Sequence, residues 1–307
     1  MKGFCTKLFC FLLILGIITV GINQWYVVKD HTFAKAIRYR NMPYGIQVSN
    51  TGSSHGAASF RYDTLPDGYT GFNFGSGYQL PVYDARLVEH YADHLADGGV
   101  LLIVISYFSL FREMTDTFNF ASFNRSFYSI LPDEMVYNYE RKTDILAKLP
   151  SLTAYFELFP TLIKREEEDD GTILEADPEE VRASVEGRYQ SHVANDRGPC
   201  EDENVEAVYR MVEICRKKNI TPVIITTPLL SEFPEQVRKR DPVFFEDFYG
   251  AIDEICDKTG IRYYDYSEDE RFTHDYSLFS DADHLNERGG ERFTQVVYEE
   301  ILKDILE

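Results

Sequence analysis

The sequence predicts an α/β protein: a three-layer α/β/α sandwich around a parallel five-stranded sheet, preceded by one N-terminal transmembrane helix. Three observations carry that expectation. Apolar runs of strand length alternate with segments of helical period along most of the chain. Two of the runs, Val100-Leu101-Leu102-Ile103-Val104-Ile105 and Val223-Ile224-Ile225, are continuously apolar, as strands covered on both faces should be. Residues 8–28 contain no charge and are long enough to cross a bilayer core.

Composition narrows the classes further. The 307 residues include 44% hydrophobic and 14% aromatic side chains, enough for a sizeable core, so wholesale disorder is excluded. Thirty-one basic and 51 acidic residues leave a formal net charge of −20, which speaks against nucleic acid as a partner, because phosphate recognition needs a basic footprint. The five cysteines form no CxxC pair and no Cys/His cluster at metal-ligand spacing, so neither metal nor cofactor is expected. A G-x-G-x-x-G turn after the first strand is also missing, which removes a dinucleotide-binding module from consideration.

In chain order, residues 1–7 form a short head, 8–28 a membrane anchor, 29–44 a linker, and 45–307 the α/β domain. Trp25 and Tyr26 at the far end of the apolar run suit the interfacial aromatic belt, and no A-x-A-like cleavage site follows it. Lys29, Lys35, Arg38 and Arg40 outnumber Lys2 and Lys7, so a plain positive-inside count points inward. The signal-like head points the other way, to a single-pass protein at the cell membrane with its C-terminal domain outside the cytoplasm.

Within that domain the strands are expected at 46–49, 71–74, 100–106, 221–227 and 261–266. Helices are expected at 82–95, 204–218, 244–258 and 287–306; the second has Val205, Val208, Met211, Val212 and Cys215 at helical spacing. A long insertion at about 107–219 separates the third and fourth strands. It opens with Phe108, Phe111, Phe118, Phe120, Phe123, Phe127 and Tyr128. It continues through an amphipathic or buried helix at 146–163 and an acidic solvated loop at 166–171. The insertion is either further core and surface, or a lid, substrate groove or docking face over the sheet edge.

The chemistry-bearing candidates lie at the two ends of the domain. A hydroxyl is a poor nucleophile at neutral pH unless a histidine takes its proton and a carboxylate holds the imidazole in the right tautomer. Gly52-Ser53-Ser54-His55 forms a tight turn after the first strand, and Asp281-Ala282-Asp283-His284 lies on a loop before the last helix. Ser54, His284 and Asp281 are the candidate triad, with Ser53 the fallback nucleophile. That assignment requires Ser54 Oγ within hydrogen-bond reach of His284 Nε2. By itself a serine at such a turn is more often a helix N-cap, and His55 is at most a pocket-wall or substrate contact.

Taken together, these motifs resemble the SGNH (GDSL-like) hydrolase superfamily. Its Gly-x-Ser turn matches Gly52-Ser53-Ser54, and its late Asp-x-x-His matches Asp281 to His284. The resemblance implies oxyanion donors near Asn73-Phe74-Gly75-Ser76-Gly77, with Gly77 or Gly75 supplying an amide. The family's Gly-x-Asn-Asp block is replaced by Ile105-Ser106-Tyr107-Phe108-Ser109, where Ser106, Ser109 or a backbone amide is the candidate donor. The anchor, the Gly-Ser-Ser-His form of the first block and Thr226-Thr227-Pro228 resemble membrane-anchored SGNH-like proteins of bacterial cell-surface polymer modification. The resemblance implies an esterase or O-acyltransferase acting on acylated polysaccharide or teichoic acid. Its alternative is a non-catalytic accessory that binds polymer or partners a membrane-bound O-acyltransferase.

Overall fold

The computed structural model describes residues 2–29, 31–114, 124, 126–139, 177–194 and 198–307. The helix expected at 146–163, the acidic loop at 166–171 and Phe118, Phe120 and Phe123 lie outside the described residues, as do the side chains of Trp25 and Tyr26. The chain divides into two compact units, one of Met1–Met42 with Asn119–Asp170, the other of Pro43–Phe118 with Gly171–Glu307.

In the first unit, helix α1 (Lys2–Lys29) contains a 20-residue stretch, Gly3–Ile22, long and apolar enough to cross a membrane. Its side chains, among them Phe9, Leu12, Ile14 and Ile17, are exposed, so water would meet a continuous apolar surface there. Helix α2 (His31–Arg40) occupies the stretch expected as a linker. It ends with Arg38 and Arg40 in its last turn, where cations complement the helix dipole.

The second unit is built on five parallel strands, β1 (Ile46–Asn50), β2 (Gly71–Asn73), β3 (Leu95–Val104), β4 (Thr221–Thr226) and β5 (Arg262–Asp265), in the order β2-β1-β3-β4-β5. β3 lies at the centre and its half from Val100 onward is fully buried, which is why that run is apolar without alternation. It starts earlier than expected. Leu95 pairs with Ile46 and Val100 with Val48, so residues between them bulge around Gly98, whose φ is +75°. The preceding helix, α4 (Pro81–His90), is correspondingly shorter than expected, and a 3-10 turn at Ala92–His94 leads into the strand.

The remaining helices are α3 (Ser54–Ser59), α5 (Pro178–Tyr189), α6 (Asp202–Lys217), α7 (Glu232–Arg240), α8 (Phe244–Thr259), α9 (Glu287–Val297) and α10 (Lys303–Leu306). In α6, Val208, Met211, Val212 and Cys215 form the buried stripe, with acids in the first turn and bases in the last. α6 packs on α4 and α9 packs on α3. Asn286 caps α9 by accepting from Gly289 N at 2.9 Å. A π-helical turn, Tyr298–Leu302, separates α9 from α10 in what the sequence presents as one helix.

This strand order reverses direction at β1. The chain passes from β1 to β2 on one side, then to β3 on the other, which opens a crevice at the carboxyl ends of β1 and β3. Gly52 turns the chain there. Its φ is +112°, and a Cβ on it would come within 2.8 Å of Val104 Cβ on the neighbouring strand. Its amide donates to Asp84 Oδ1 at 3.0 Å.

Gly52→Ala therefore meets both backbone strain and a clash with β3, and is expected to cost about 1–3 kcal/mol of stability. Gly77→Ala, with nothing within 4 Å of the added atom, serves as the control and is expected to melt like the parent. Thermal unfolding of the two variants side by side checks this.

Candidate active site

Immediately beyond Gly52 the two serines divide the work of the turn. Ser53 is the N-cap of α3: its Oγ accepts from His55 N at 3.3 Å and shares a 2.9 Å hydrogen bond with Ser106 Oγ. Ser54, the first residue of the helix, is half-buried and its Oγ lies 2.7 Å from His284 Nε2. The capping role that a serine at this turn would ordinarily fill belongs to Ser53.

His284 comes from a short loop held at several points. Phe279 and Leu285 form an isolated antiparallel bridge and Ser280 N donates to His284 O at 2.9 Å. Ala282 O accepts from Leu230 N at 2.9 Å, and Ala282 N donates to Ser184 Oγ on α5 at 2.8 Å. Asp281 closes the turn by accepting from Asp283 N and His284 N at 3.1 and 2.9 Å through Oδ1. Its two oxygens lie 2.9 and 3.0 Å from His284 Nδ1.

A second carboxylate sits beside the first. Asp283 is fully buried, and its Oδ1 lies 3.0 Å from His284 Nδ1 and 2.8 Å from Arg188 Nε. Tyr107 donates its hydroxyl to Asp283 Oδ2 at 2.5 Å, and His55 Nε2 stands 3.4 Å from the same oxygen. Arg188 spans both carboxylates, since its Nη2 also reaches Asp281 Oδ2 at 2.5 Å and touches His284 Nδ1. His192 lies under the group, its ring stacked on Phe108 at 4.4 Å and its Nε2 4.0 Å from Asp283.

Burial and charge act in opposite directions on these groups. Burial disfavours the cationic form of His284, but Asp283 and Asp281 outweigh it and raise the ring to about 9. Burial likewise opposes the Asp283 charge, yet the His284 ring beside it holds its carboxyl well below the usual carboxylate range. Burial dominates elsewhere: it lowers His55, takes His192 down to about 3 and pushes the Tyr107 hydroxyl well up. The two buried histidines are therefore neutral and Tyr107 is a proton donor.

The other expected site residues are placed differently. Asn73 is committed to α3: its Nδ2 donates to Gly56 O and Ala57 O at 3.0 and 3.2 Å, and its Oδ1 accepts from Gly75 N at 2.8 Å. Neither Asn73 nor the Gly75 amide is free to receive a developing oxyanion, because those contacts fix the start of α3 to the end of β2. Ser106 is buried on Ser53 and acts as its support, not as a donor at the surface of the site. His55 is 1% exposed and faces Asp283, so it is not a substrate contact. Gly77 lies in the exposed part of the loop.

Sequence reasoning missed Asp283 as a second partner of His284, and missed Tyr107, Arg188 and His192. A usable signal existed for the last two. Arg188 and His192 are four apart, so both fall on one face of any helix running through them. A π-helical turn, Gln190–Ala194, follows α5 and holds His192 inward.

Among the described residues one group, His55, Asp283 and His284, brings three potential ligand atoms within 4.8 Å of one another. A metal ion there would stand against Arg188 Nε, already 2.8 Å from the same carboxylate, so the donor set fits a charge network and not a metal centre.

Neither a protein-family model nor a curated protein matches this chain. Among solved structures it is similar to a Bacteroides fragilis protein provisionally described as an acylhydrolase, with 14% identity, a TM-score of 0.41, and coverage of 90% of this chain and 99% of the other. It is similar also to a Streptococcus pneumonia protein provisionally described as a platelet activating factor, with 12% identity, a TM-score of 0.41, and coverage of 96% and 98%. Values this low do not bear on the role of any residue.

The raised His284 ring makes a stability prediction whose sign is fixed. A group whose folded value lies above its unfolded value stabilises fully below the unfolded value, near 6.5, and loses that contribution as pH rises through about 9. The melting temperature is expected to fall between pH 7 and 10, and His284→Gln to remove this dependence. Tyr107→Phe, which strips a hydrogen bond from a buried charge, is expected to cost about 1.5–3 kcal/mol at pH 7 in the same unfolding measurement.

Proposed function

We propose that this chain is a serine-dependent acyl-ester enzyme, an esterase or O-acyltransferase, in which Ser54 is the nucleophile, His284 the base and Asp281 the residue that orients it. The observation that carries the reading is the 2.7 Å contact between Ser54 Oγ and His284 Nε2, made by a serine that its neighbour has relieved of capping. With Nδ1 turned to carboxylates, Nε2 is the nitrogen left to accept the serine proton.

In this reading Ser54 Oγ attacks the ester carbonyl as its proton passes to His284 Nε2. The negative charge on the carbonyl oxygen is met by the Ser54 and Gly77 amides, the donors left after Asn73, Gly75 and Ser106 are accounted for. The tetrahedral species collapses to an acyl-Ser54 ester, and the departing alkoxide takes the proton from Nε2. Water, or a hydroxyl of an acceptor polymer, then attacks the acyl-serine with His284 again as base, which regenerates Ser54.

The substrate proposed is an acyl ester of a cell-surface polysaccharide or teichoic acid, and the enzyme is held at the membrane by α1 with its α/β domain outside the cytoplasm. The apolar length of α1 supports anchoring, and the motif resemblance supports the polymer substrate. A second reading, a non-catalytic accessory of a membrane-bound O-acyltransferase, draws support from the commitment of Asn73, Gly75 and Ser106 to internal hydrogen bonds.

Turnover of an activated acetyl ester by the full chain in detergent separates the two. Ser54→Ala is expected to lower kcat/KM by at least about 10³-fold. With the His284 ring raised to about 9, the parent's kcat/KM is expected to climb with pH from 7, pass half its maximum near 9 and level off above that, because only the neutral ring accepts a proton. Equal turnover by Ser54→Ala, or no turnover by the parent at any pH, would favour the accessory.

A further inference from the structure

One feature of the site exceeds what a serine–histidine–carboxylate arrangement requires. A single carboxylate suffices to hold an imidazole in its tautomer and to stabilise the imidazolium that forms during reaction. Here two carboxylates, Asp281 and Asp283, lie within 3.0 Å of the same nitrogen, His284 Nδ1. Two negative charges at that distance favour the protonated ring, and a protonated ring cannot take the proton of Ser54.

The groups facing His284 come from four places in the chain. Its own loop supplies Asp281 and Asp283. The start of α3 supplies Ser54 and His55, whose ring meets that of His284 edge-on at 4.8 Å. The segment after β3 supplies Tyr107 through Asp283. α5 and the π-helical turn behind it supply Arg188 and His192. His55, His192 and Tyr107 are neutral, so among these groups Arg188 is the permanent cation. Its guanidinium is shared between the carboxylates, with Nε on Asp283 and Nη2 on Asp281, and it lies against the His284 ring.

We infer that Arg188 is a positioning residue for the Ser54–His284 pair: its guanidinium, contributed by α5, offsets the second carboxylate and so eases the return of His284 to the neutral form that can act as a base. The inference rests on the catalytic reading proposed above and adds a residue to it from inside the long insertion. α5 is well placed to deliver that charge. Besides the Ser184 bond to Ala282, Glu186 is held by Arg240 of α7 at 2.6 and 2.9 Å and by Gln236 at 2.8 Å. The Arg240 guanidinium also lies over the Tyr189 ring at 4.5 Å. These contacts bracket Arg188 on both sides along the helix. The insertion thus completes the charge balance of a site whose other parts come from the sheet and the final loop.

The test uses the full chain in detergent micelles with 13C-labelled histidine, His284 being assigned by its loss in His284→Gln. His284 is titrated by NMR in the parent, Arg188→Gln and Arg188→Lys, and ester turnover is followed over the same pH range. Arg188→Gln is expected to move the His284 midpoint upward by about one pH unit or more, which lowers turnover at pH 7 about tenfold and restores it at higher pH. Arg188→Lys keeps the charge without the fork and is expected to move the midpoint less than half as far. Arg188→Gln combined with Asp283→Asn removes one charge of each sign and is expected to return the midpoint close to the parent's. An Arg188→Gln midpoint equal to the parent's, with turnover lowered evenly at every pH, would overturn the inference and leave Arg188 a structural residue. So would an Arg188→Lys midpoint displaced as far as that of Arg188→Gln. Where a melting curve shows that Arg188→Gln does not fold, the charge-balanced double variant decides: a midpoint close to the parent's supports the inference, and one lowered as far as that of Asp283→Asn alone overturns it. The His284 midpoint reads Arg188 whether or not the ester is turned over, so absence of turnover in the parent counts against the proposed function alone.

Discussion

A carboxylate taken fully out of water must be compensated, and Asp283 is such a carboxylate. Leaving it unpaired would cost several kcal/mol, and removing one partner of a buried pair typically costs about 3–5 kcal/mol. Much of the site can be understood as the answer to that demand. Tyr107 leaves the end of β3 to donate a hydroxyl, Arg188 reaches in from α5, and His284 turns its Nδ1 to the same place. Once His284 is turned in this way, Nε2 faces Ser54, and the crevice at the carboxyl ends of β1 and β3 acquires a serine with an imidazole nitrogen beside it. Packing and site geometry are therefore the same problem here: the buried charge that must be satisfied for the domain to fold is met in part by the His284 ring.

The division of labour between Ser53 and Ser54 depends on the same local geometry. The backbone at Gly52 adopts a conformation that only glycine takes readily, close against Val104, and this brings Ser53 Oγ to the amide of His55. Ser106, in place of a residue pointing to the surface, stands behind Ser53 and fixes its hydroxyl. Asn73 ties the other side of α3 to β2. The turn is braced from three strands, and of its two serines Ser54 is the one whose hydroxyl faces His284.

Much of this was legible in the sequence, for identifiable reasons. β3 and β4 were visible because strands covered on both faces of a parallel sheet demand uninterrupted apolar runs, as in Val100 to Ile105. α6 was visible because its stripe of Val208, Met211, Val212 and Cys215 keeps helical period. The Ser54, Asp281 and His284 positions could be picked out from the order of two short motifs at the ends of the domain. What escaped notice depends on long-range contact. α5 lies in an acidic stretch with little amphipathic signal, and is stabilised by its ties to α7 and the final loop, not by its own composition. Asp283 adjoins His284 in sequence, and neighbouring side chains on a loop ordinarily diverge, so their convergence on one nitrogen follows from the tertiary turn. The internal hydrogen bonds of Asn73, Gly75 and Ser106 were hidden for a related reason: sequence places residues near a site but does not say which hydrogen bonds they have already made.

The central claim is that one hydroxyl, that of Ser54, is activated while its neighbour is not. Labelling the full chain with a serine-directed phosphonate, followed by fragmentation of the peptide containing both serines, tests it most directly. The account predicts a single adduct on Ser54 that forms faster as pH rises toward 9 and is lost in His284→Ala. An adduct on Ser53, or equal labelling in the presence and absence of His284, would contradict it.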